Sequence, residues 1–526
     1  MNQQCVWQEV LDFATKPIVV EPVAARLSVD AGLLPVRQLD EAIGFTKPFA
    51  AALADDRGGA RLTHSFLEMT RSRIYGILAG YEDCNDHDAL RCDAVFKLLA
   101  GRMPDDADLA SQPTLSRFEN AIGPASLFRL EDVLLEEFFH SFTEPPTRLT
   151  FDVDVFDDPT HGQQQLTFFH GFYEQYQYLP RVLTCAENDM VVMAALLYGT
   201  ARPGLGVEDD LAKLVTRIRE RWPTVRILIR ADSGFAAPAF YDCCERLAID
   251  YTIGLGMNSV LKVRSEELLK EAVRRFEGSP RPRPADLENQ PDSQIASPRA
   301  APAEDAAGAH AQPGQPQRLF TAFEHQAASW PAPRWVVVKC EANAQGTNRR
   351  AIVTNRPGAY VLPGAAYDEY AERGESENRN KELKCGLRAD RLSCHRFMAN
   401  YFRLYLHCAA ANLLVRLRHV VANPPAAPRP TDSAAARVAD QPEPAPLPAN
   451  QLGGTDRKRY FNQRRLADPL GEGQPNTWRM LLFKVAAEVV TSTRRVCVRL
   501  SGAWPYLNFY RQVCAAVRRF AASNTS

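Results

Sequence analysis

Hydrophobic and polar positions along the chain follow two different periods, and the change between them divides the sequence into regions. Up to about residue 145, apolar residues recur at helical spacing, most clearly over residues 63–79. From Arg148 onward the alternation has a period of two, which is typical of strands with one buried face. The pattern therefore predicts a helical N-terminal domain followed by a sheet.

The region after the change predicts a mixed α/β sheet covered by helices. Alternation in RLTFDVDVF, residues 148–156, predicts a strand, and QLTFFHGFYE and LPRVLT predict two more strands in a meander. Residues 207–222 carry an apolar stripe at helical spacing, with acids first and bases last, as a crossover helix prefers. A strand ending at Asp232, a helix over residues 238–247 and the strand DYTIGL complete the unit.

Two stretches interrupt this pattern, residues 279–317 and 423–475. They are rich in Pro and Ala and poor in aromatic residues, which is typical of disordered linkers or insertions. Between them RLFTAFEH, RWVVVKCEA and RRAIVTN predict the strands of a β-rich insertion. The predicted order is a helical domain, the first part of the sheet domain, the β-rich insertion, the second part, a linker and a basic C-terminal region, over residues 1–145, 146–256, 257–365, 366–422, 423–475 and 476–526.

Composition narrows the class of protein without fixing a function. Hydrophobic residues make up 45% of the chain and no run of about 18 uncharged apolar residues occurs, so no membrane partner is expected. The N-terminal MNQQCVWQEVLDF lacks the pattern of a secretion signal, which favours the cytoplasm. The twelve cysteines are scattered with no C-x-x-C pair, which favours reduced thiols over a metal cluster.

The net charge of −1 means that any binding of nucleic acid must come from local patches. Arg117, in the helix predicted for SQPTLSRFEN, fits a DNA-reading helix or an ordinary surface helix. Basic residues also dominate from Arg457 onward, either as a nucleic-acid contact or as a solvated tail. They include Arg457, Lys458, Arg459, Arg464, Arg465, Arg494, Arg495, Arg518 and Arg519.

Two acids stand at the ends of predicted central strands, Asp154 and Asp232. Carboxylates in a dry site need cations, and a third acid from a helix would complete a site for two Mg²⁺ ions about 3.5–4 Å apart. Oxygen ligands favour Mg²⁺ or Mn²⁺ over zinc. Asp152 lies on the same strand face as Asp154, so a shift of one step along that face would exchange their roles.

The helix predicted to begin near residue 366 carries a candidate for the third acid. On an uninterrupted helix, four of its residues lie within a sector of about 60°. They are Tyr370, Arg373, Glu377 and Lys384, with Lys381 nearby. A cationic face around one acid suits a metal ligand whose neighbours hold phosphate oxygens. The alternative is a charged surface helix with i, i+4 ion pairs.

This spacing resembles the YREK signature of bacterial insertion-sequence transposases of the cut-and-paste type, which have a DDE catalytic triad. The segments FDVDVFDDPTHGQQ, RILIRADSGF, GYEDCNDHDALR, ASQPTLSRFEN and RLSCHRFMANYFRLYLH are also similar to the family and occur in its order. The resemblance implies an α/β fold, an RNase H-like mixed sheet flanked by helices, with a β-rich insertion and an N-terminal helical domain.

The resemblance also implies roles for single residues. Asp154 would bridge two Mg²⁺ ions, which Mn²⁺ could replace, while Asp232 and Glu377 would each ligate one. Tyr370, Arg373 and Lys384, together with Lys381 and Arg117 as further DNA contacts, would hold the ends of the transposon. Trp335 or Trp330 would stack on a flipped base, unless they are core residues.

The activity implied is metal-dependent 3′-end nicking and strand transfer of an insertion element with inverted-repeat ends. The partners would be double-stranded DNA, as transposon ends and target, and a second copy in a homodimer, in a cytoplasmic, nucleoid-associated protein. Phe156 departs from the family, which usually has Thr there. Two alternatives stay open: a DDE-type nuclease without strand transfer, and an inactive transposase-derived DNA-binding protein.

Overall fold

The computed structural model describes residues 7–55, 57, 62–278, 315–356, 358–425 and 474–524. The basic residues from Arg457 to Arg465 and most of the two Pro/Ala-rich stretches lie outside these ranges. Within the described ranges, none of the helices is both long and apolar enough to cross a membrane.

The N-terminal region is mainly helical, as its periodicity predicts. The helix Phe66–Ala79 has signals at both ends: the Ser65 hydroxyl accepts a hydrogen bond from the Glu68 N–H, and Gly80 ends the helix with φ of 93°. Short strands precede the helices. The elements are β1 (Glu9–Leu11), β2 (Ile18–Val20), β3 (Leu27–Ser28), α1 (Leu34–Ile43), α2 (Thr46–Ala51), α3 (Phe66–Ala79), α4 (His87–Leu90), α5 (Ala94–Ala100), α6 (Gln112–Ala121) and α7 (Pro124–His140).

The middle of the chain builds a ten-stranded mixed sheet with helical crossovers. Its elements are β4 (Arg148–Val155), β5 (Asp158–Pro159), β6 (Phe168–His170), β7 (Gln175–Cys185), β8 (Val191–Leu197), α8 (Val207–Arg221), β9 (Arg226–Ala231), α9 (Pro238–Arg246), β10 (Asp250–Leu255), α10 (Ser259–Arg264), α11 (Glu266–Glu277), β11 (Gln317–His325), β12 (Arg334–Asn343) and β13 (Gly346–Thr354). Buried apolar residues of α8 and α9 cover one face of the sheet.

Five strands form the centre of this sheet in the order β8-β7-β4-β9-β10. The first three in sequence, β4, β7 and β8, are antiparallel, whereas β9 and β10 run parallel to β4. Numbered along the chain this order is 3-2-1-4-5, the arrangement of the RNase H fold. The predicted mixed α/β class and its RNase H-like sheet are confirmed.

One detail of the predicted sheet is wrong. The third strand of the meander is β8, the apolar run VVMAALL, whereas QLTFFHGFYE contributes only the short strand β6 and a turn. The predicted β-rich insertion supplies β11 to β13, and it extends the central sheet because β13 pairs antiparallel with β10. Main-chain pairing between strands far apart in the chain decided both points.

The helix predicted across residues 366–384 is interrupted. It consists of α12 (Pro363–Ala371), a turn, α13 (Gly374–Lys381) and one π-helical turn, Glu382–Gly386. The single-face argument assumed a continuous α-helix, and the π-helical turn shifts the angular position of Lys384 relative to Glu377. The long buried helix α14 (Phe397–Ala422) follows.

The C-terminal elements pack back onto the N-terminal helices. They are α15 (Pro475–Trp478), a second π-helical turn (Arg479–Phe483), β14 (Ala487–Thr491), β15 (Val496–Leu500) and α16 (Leu507–Asn524). β14 pairs with β3, and one hydrophobic core contains residues of α3, α14 and α16. The two ends of the chain therefore share a core with each other and with α14.

Candidate active site

Two acids meet at one edge of the central sheet. The parallel register of β4 and β9 pairs Val153 with Ala231, so Asp154 and Asp232 are the next residues on adjacent strands. Asp154 is buried, and one of its oxygens accepts a hydrogen bond from the Val155 N–H at 2.9 Å. Asp232 caps the turn after β9, accepting from the Gly234 N–H at 2.8 Å. Both carboxylates are therefore held by main-chain contacts.

Asp152 is committed to a different partner. Arg230 binds it in a bidentate manner, with Nε to Oδ1 at 2.7 Å and Nη2 to Oδ2 at 2.8 Å. The Arg230 Nη1 also donates to the carbonyl of Glu369 at 2.9 Å, which attaches α12 to the sheet. The pairing makes Asp152 a structural residue and leaves Asp154 as the acid that faces the cleft.

Arg373, in the turn between α12 and α13, links the acid pair to the helix. Its Nη2 lies 2.9 Å from Asp154 Oδ2, and its Nη1 lies 3.5 Å from Glu377 Oε1. The Arg373 side chain is buried, whereas the Glu377 side chain is 69% exposed. The structure thus brings Asp154 and Glu377 to the two terminal nitrogens of one guanidinium.

The neighbouring charges shift the pKa of Asp154. Burial, with the negative charges of Asp232 and Glu377, raises the pKa of Asp154 to about 6 against the opposing charge of Arg373. Arg373 is the one cation among the groups that shift this pKa, so around Asp154 itself the carboxylates outnumber the cations.

Tyr370 closes the site from the helix side. A Cβ placed on Gly254 of β10 would lie 2.7 Å from the Tyr370 hydroxyl and 3.0 Å from the Ser233 nitrogen. Glycine therefore permits this close approach. Burial raises the pKa of Tyr370, and Arg373 opposes that shift.

These groups border an open cleft of about 690 Å³. Sequence reasoning missed two of its cations, Arg349 and Arg350, which β13 brings to the cleft through its pairing with β10. The only signal was a pair of arginines in a predicted strand. The lining residues are Asp154, Asp232, Ser233, Gly254, Leu255, Met257, Arg349, Arg350, Ala351, Tyr367, Tyr370, Arg373 and Glu377.

Other candidate residues lie apart from the cleft lining. Lys384 forms an ion pair with Asp157, in the loop after β4. Although burial alone would raise the pKa of Asp157, the Lys384 ammonium holds it below the usual value. Lys381 is exposed at the end of α13, and Arg117 is exposed on α6, where its Nη2 lies 3.1 Å from Thr114 Oγ1.

The two tryptophans proposed for a flipped base differ in their surroundings. Trp330 is buried against Tyr241, with ring centres 5.5 Å apart, so it is a core residue. Trp335 is half-buried and stacks on the exposed Tyr360 at 4.9 Å. Phe156, the departure from the family pattern, is buried in the core shared with the N-terminal helices.

The donor set fits a divalent cation in part. Asp154 and Asp232 supply adjacent carboxylate oxygens, and their crowded negative charge favours a cation. Among the described residues no three acidic, His or Cys side chains already stand in a metal-binding arrangement. Glu377 contacts Arg373 instead, but its exposed side chain has room to turn.

An acid pair on the first and fourth strands of a 3-2-1-4-5 sheet defines the class of RNase H-like nucleases and strand-transferases. Residues 12–429 match the family model described as transposase DDE domain group 1. The match covers most of the chain, so the protein belongs to this transposase family. No curated protein matches the sequence.

Two solved structures share weaker likenesses. A piggyBac transposase synaptic complex with hairpin DNA has a TM-score of 0.34 and 12% identity over 75% of this chain and 76% of that one. An intasome of simian T-cell lymphotropic virus in complex with the PP2A regulatory subunit B56 gamma has a TM-score of 0.16 and 14% identity, over 40% and 78%. The family match and the strand order carry the assignment.

Proposed function

We propose that the protein nicks the 3′ ends of an insertion element with inverted-repeat ends and joins them to target DNA. The observation that carries the proposal is the register of β4 and β9, which sets Asp154 beside Asp232 under Arg373 and Tyr370. In a protein of a DDE transposase family, this is the acid pair expected to meet the scissile phosphate.

In the proposed mechanism Asp154, Asp232 and Glu377 would hold a pair of Mg²⁺ or Mn²⁺ ions. The two ions would supply charge stabilisation for the attacking and leaving oxygens. Arg373, released from the acids, can donate two parallel hydrogen bonds to a phosphate. The Tyr370 hydroxyl over Gly254 is placed to orient the same phosphate.

The other parts of the chain have proposed roles as well. Residues 1–145 would bind the transposon ends, with Arg117 as a contact, and Lys381 and Lys384 would add cations near the active site. The second part of the catalytic core is residues 366–422, and residues 476–526 would support a homodimer that holds two ends together. Such a protein would work at the nucleoid in the cytoplasm.

The test is a cleavage and joining assay on a duplex carrying the inverted repeats that flank the gene. Wild-type protein with Mg²⁺ should give nicks and joined products, and EDTA should remove both. Asp232→Ala and Glu377→Ala should lose at least about 10³-fold in rate while still binding the duplex, because the charge-stabilising metal ions lose a ligand.

Glu375→Ala is the matched control, because Glu375 is another exposed acid of α13 that does not line the cleft. It should cleave like the wild type. Nicks without joined product would mean a nuclease alone, and binding without cleavage would mean an inactive derivative. Normal cleavage by Glu377→Ala would show that the third ligand is wrongly assigned.

A further inference from the structure

A cluster of exposed aromatic rings stands beside the active site, on residues 166–176, which we name the aromatic hairpin. It comprises β6, a turn and the start of β7. Its rings are unusually accessible for their size: Phe172 at the tip is 83% exposed and Phe169 is 51% exposed. Phe168 and Tyr176 are exposed as well. Large exposed apolar patches of this kind mark binding surfaces.

The aromatic hairpin is firmly supported at its base. β6 pairs with β7, and the Glu174 N–H closes the turn by donating to the His170 carbonyl at 2.8 Å. Gly199 packs so tightly against it that a Cβ there would lie 2.6 Å from the Phe168 carbonyl oxygen. The rings are therefore presented on a fixed support, which lowers the entropy cost of binding.

The hairpin also lies at the same end of the sheet as the acids. Tyr173 and Val155, the residue after Asp154, both pack against the cluster formed by Leu179, Leu197 and Ala201. Gln175 Nε2 donates to Asp157 Oδ2 at 3.1 Å, and Asp157 pairs with Lys384. Burial raises the pKa of Tyr173, and the charges of Asp157, Asp154 and Asp232 raise it further, in agreement with this proximity.

Charge indicates which part of DNA the hairpin would contact. Residues 166–176 contain no Lys or Arg and one acid, Glu174, so they lack the cations that grip phosphates. The rings instead offer apolar faces. The ring centres of Phe172 and Tyr173 are 5.0 Å apart with perpendicular planes, and those of Phe169 and Tyr176 are 5.7 Å apart with an angle of 69° between their planes. Aromatic faces stack on bases of any sequence once those bases are unpaired.

We infer that the aromatic hairpin binds unpaired bases of DNA next to the cleavage site, with Phe172 as the principal stacking residue. The inference rests on the proposed function for the position of the DNA, and it extends that function to a surface outside the acid site. The ligand class is single-stranded or unstacked nucleotides at the end being cut. The occupant is a base, since a phosphate would meet Glu174 without a compensating cation.

The test compares two DNA probes in EDTA, where metal-dependent cleavage is absent. One probe is a blunt duplex, and the other is a forked duplex of the same sequence with unpaired arms, both measured by fluorescence anisotropy. The wild type should prefer the fork. Phe172→Ala should weaken fork binding about fivefold or more, leaving blunt-duplex binding unchanged, because stacking on the ring is lost.

Two further substitutions separate stacking from simple apolar contact. Phe172→Trp should keep the preference for the fork, whereas Phe172→Leu should lose it. Phe13→Ala is the control for an exposed phenylalanine elsewhere, since Phe13 is 78% exposed near the N-terminus, and it should behave as the wild type. Retention of the preference by Phe172→Leu, or by Phe172→Ala, overturns the inference.

A change in sedimentation mass for Phe172→Ala with an unchanged fork preference would also overturn it, by assigning the hairpin to a protein interface. Failure of the proposed function can be distinguished from failure of the inference about the aromatic hairpin. Asp232→Ala should keep the fork preference while losing cleavage, and a wild-type protein that prefers the fork but never cleaves would contradict the function alone.

Discussion

Asp152 and Asp154 lie two residues apart on one strand face, and their neighbours give them opposite effects on stability. Arg230 satisfies both oxygens of buried Asp152. Asp154 shares Arg373 with Glu377 and faces Asp232, and its pKa is raised to about 6. Asp152 stabilises the fold, whereas ionised Asp154 opposes it until a cation binds.

The raised pKa of Asp154 makes the free energy of unfolding depend on pH. The pKa of Asp154 is about 6 when folded and near 3.8 when unfolded, so its favourable contribution is complete below about pH 4 and is lost as pH rises to 6. Asp154→Asn should therefore raise the free energy of unfolding at pH 7 in EDTA by on the order of 1–3 kcal/mol. Thermal denaturation with and without Mg²⁺ measures this, and Mg²⁺ should stabilise the wild type only.

Asp152→Asn is the matched variant, because Asp152 lies two residues before Asp154 on the same face of β4. It should lower the free energy of unfolding by about 3–5 kcal/mol at pH 7, because Arg230 stays buried without its counter-charge. Equal destabilisation by the two variants, or a gain for Asp154→Asn that persists at pH 4, would contradict this account of the acids.

At the scale of elements, the site depends on how closely α12 approaches β10. The Tyr370 hydroxyl would lie 2.7 Å from a Cβ placed on Gly254, and Arg230 attaches α12 to the sheet by donating to the Glu369 carbonyl. The approach leaves no room for a side chain at position 254 of β10. Small displacements of α12 would therefore move both Tyr370 and Arg373 away from the acids.

Gly254→Ala tests this approach. Its Cβ would collide with the Tyr370 hydroxyl and the Ser233 nitrogen, so cleavage should fall about tenfold to 10²-fold through misplaced phosphate contacts. Gly256→Ala is the control two residues along the chain. A Cβ at that position would have no other atom within 4 Å, so the variant should cleave normally. Wild-type rates for both variants in the cleavage assay would show that α12 tolerates the displacement.

At the scale of the whole molecule, the helical N-terminal region shares its hydrophobic core with later parts of the chain. Thirteen of the fourteen residues of α3 are buried, which is typical of a helix surrounded by protein on all sides. Its neighbours include α14 and the C-terminal segment, where Arg479 donates to the carbonyls of Ile77 and Leu78. The proposed DNA-binding domain is thus attached to the catalytic region by a shared core.

Residues 1–145 expressed alone should therefore fail to fold cooperatively. The exposed apolar surface of α3 would bind a hydrophobic dye, and calorimetry should show no sharp transition, whereas the full chain should melt cooperatively. A fragment with a sharp transition and no dye binding would establish an independent domain and contradict the shared core.

Local patterns determined much of this protein. Alternation located β4 and β9, the helical stripe located α8, and the ends of the two strands located Asp154 and Asp232, because these signals depend on residues near in sequence. The motif spacing added Tyr370, Arg373 and Glu377 through a family resemblance. The sequence favoured Asp154 over Asp152 only through the DDP-x-HG segment that follows it.

Only the tertiary structure decided the rest, because it depends on contacts between residues far apart in the chain. Strand pairing added β11 to β13 to the central sheet and brought Arg349 and Arg350 to the cleft. Arg230 pairs with Asp152, and Lys384, in the π-helical turn after α13, pairs with Asp157. A sequence pattern specifies which face of an element is apolar, while packing selects the partner that the face meets.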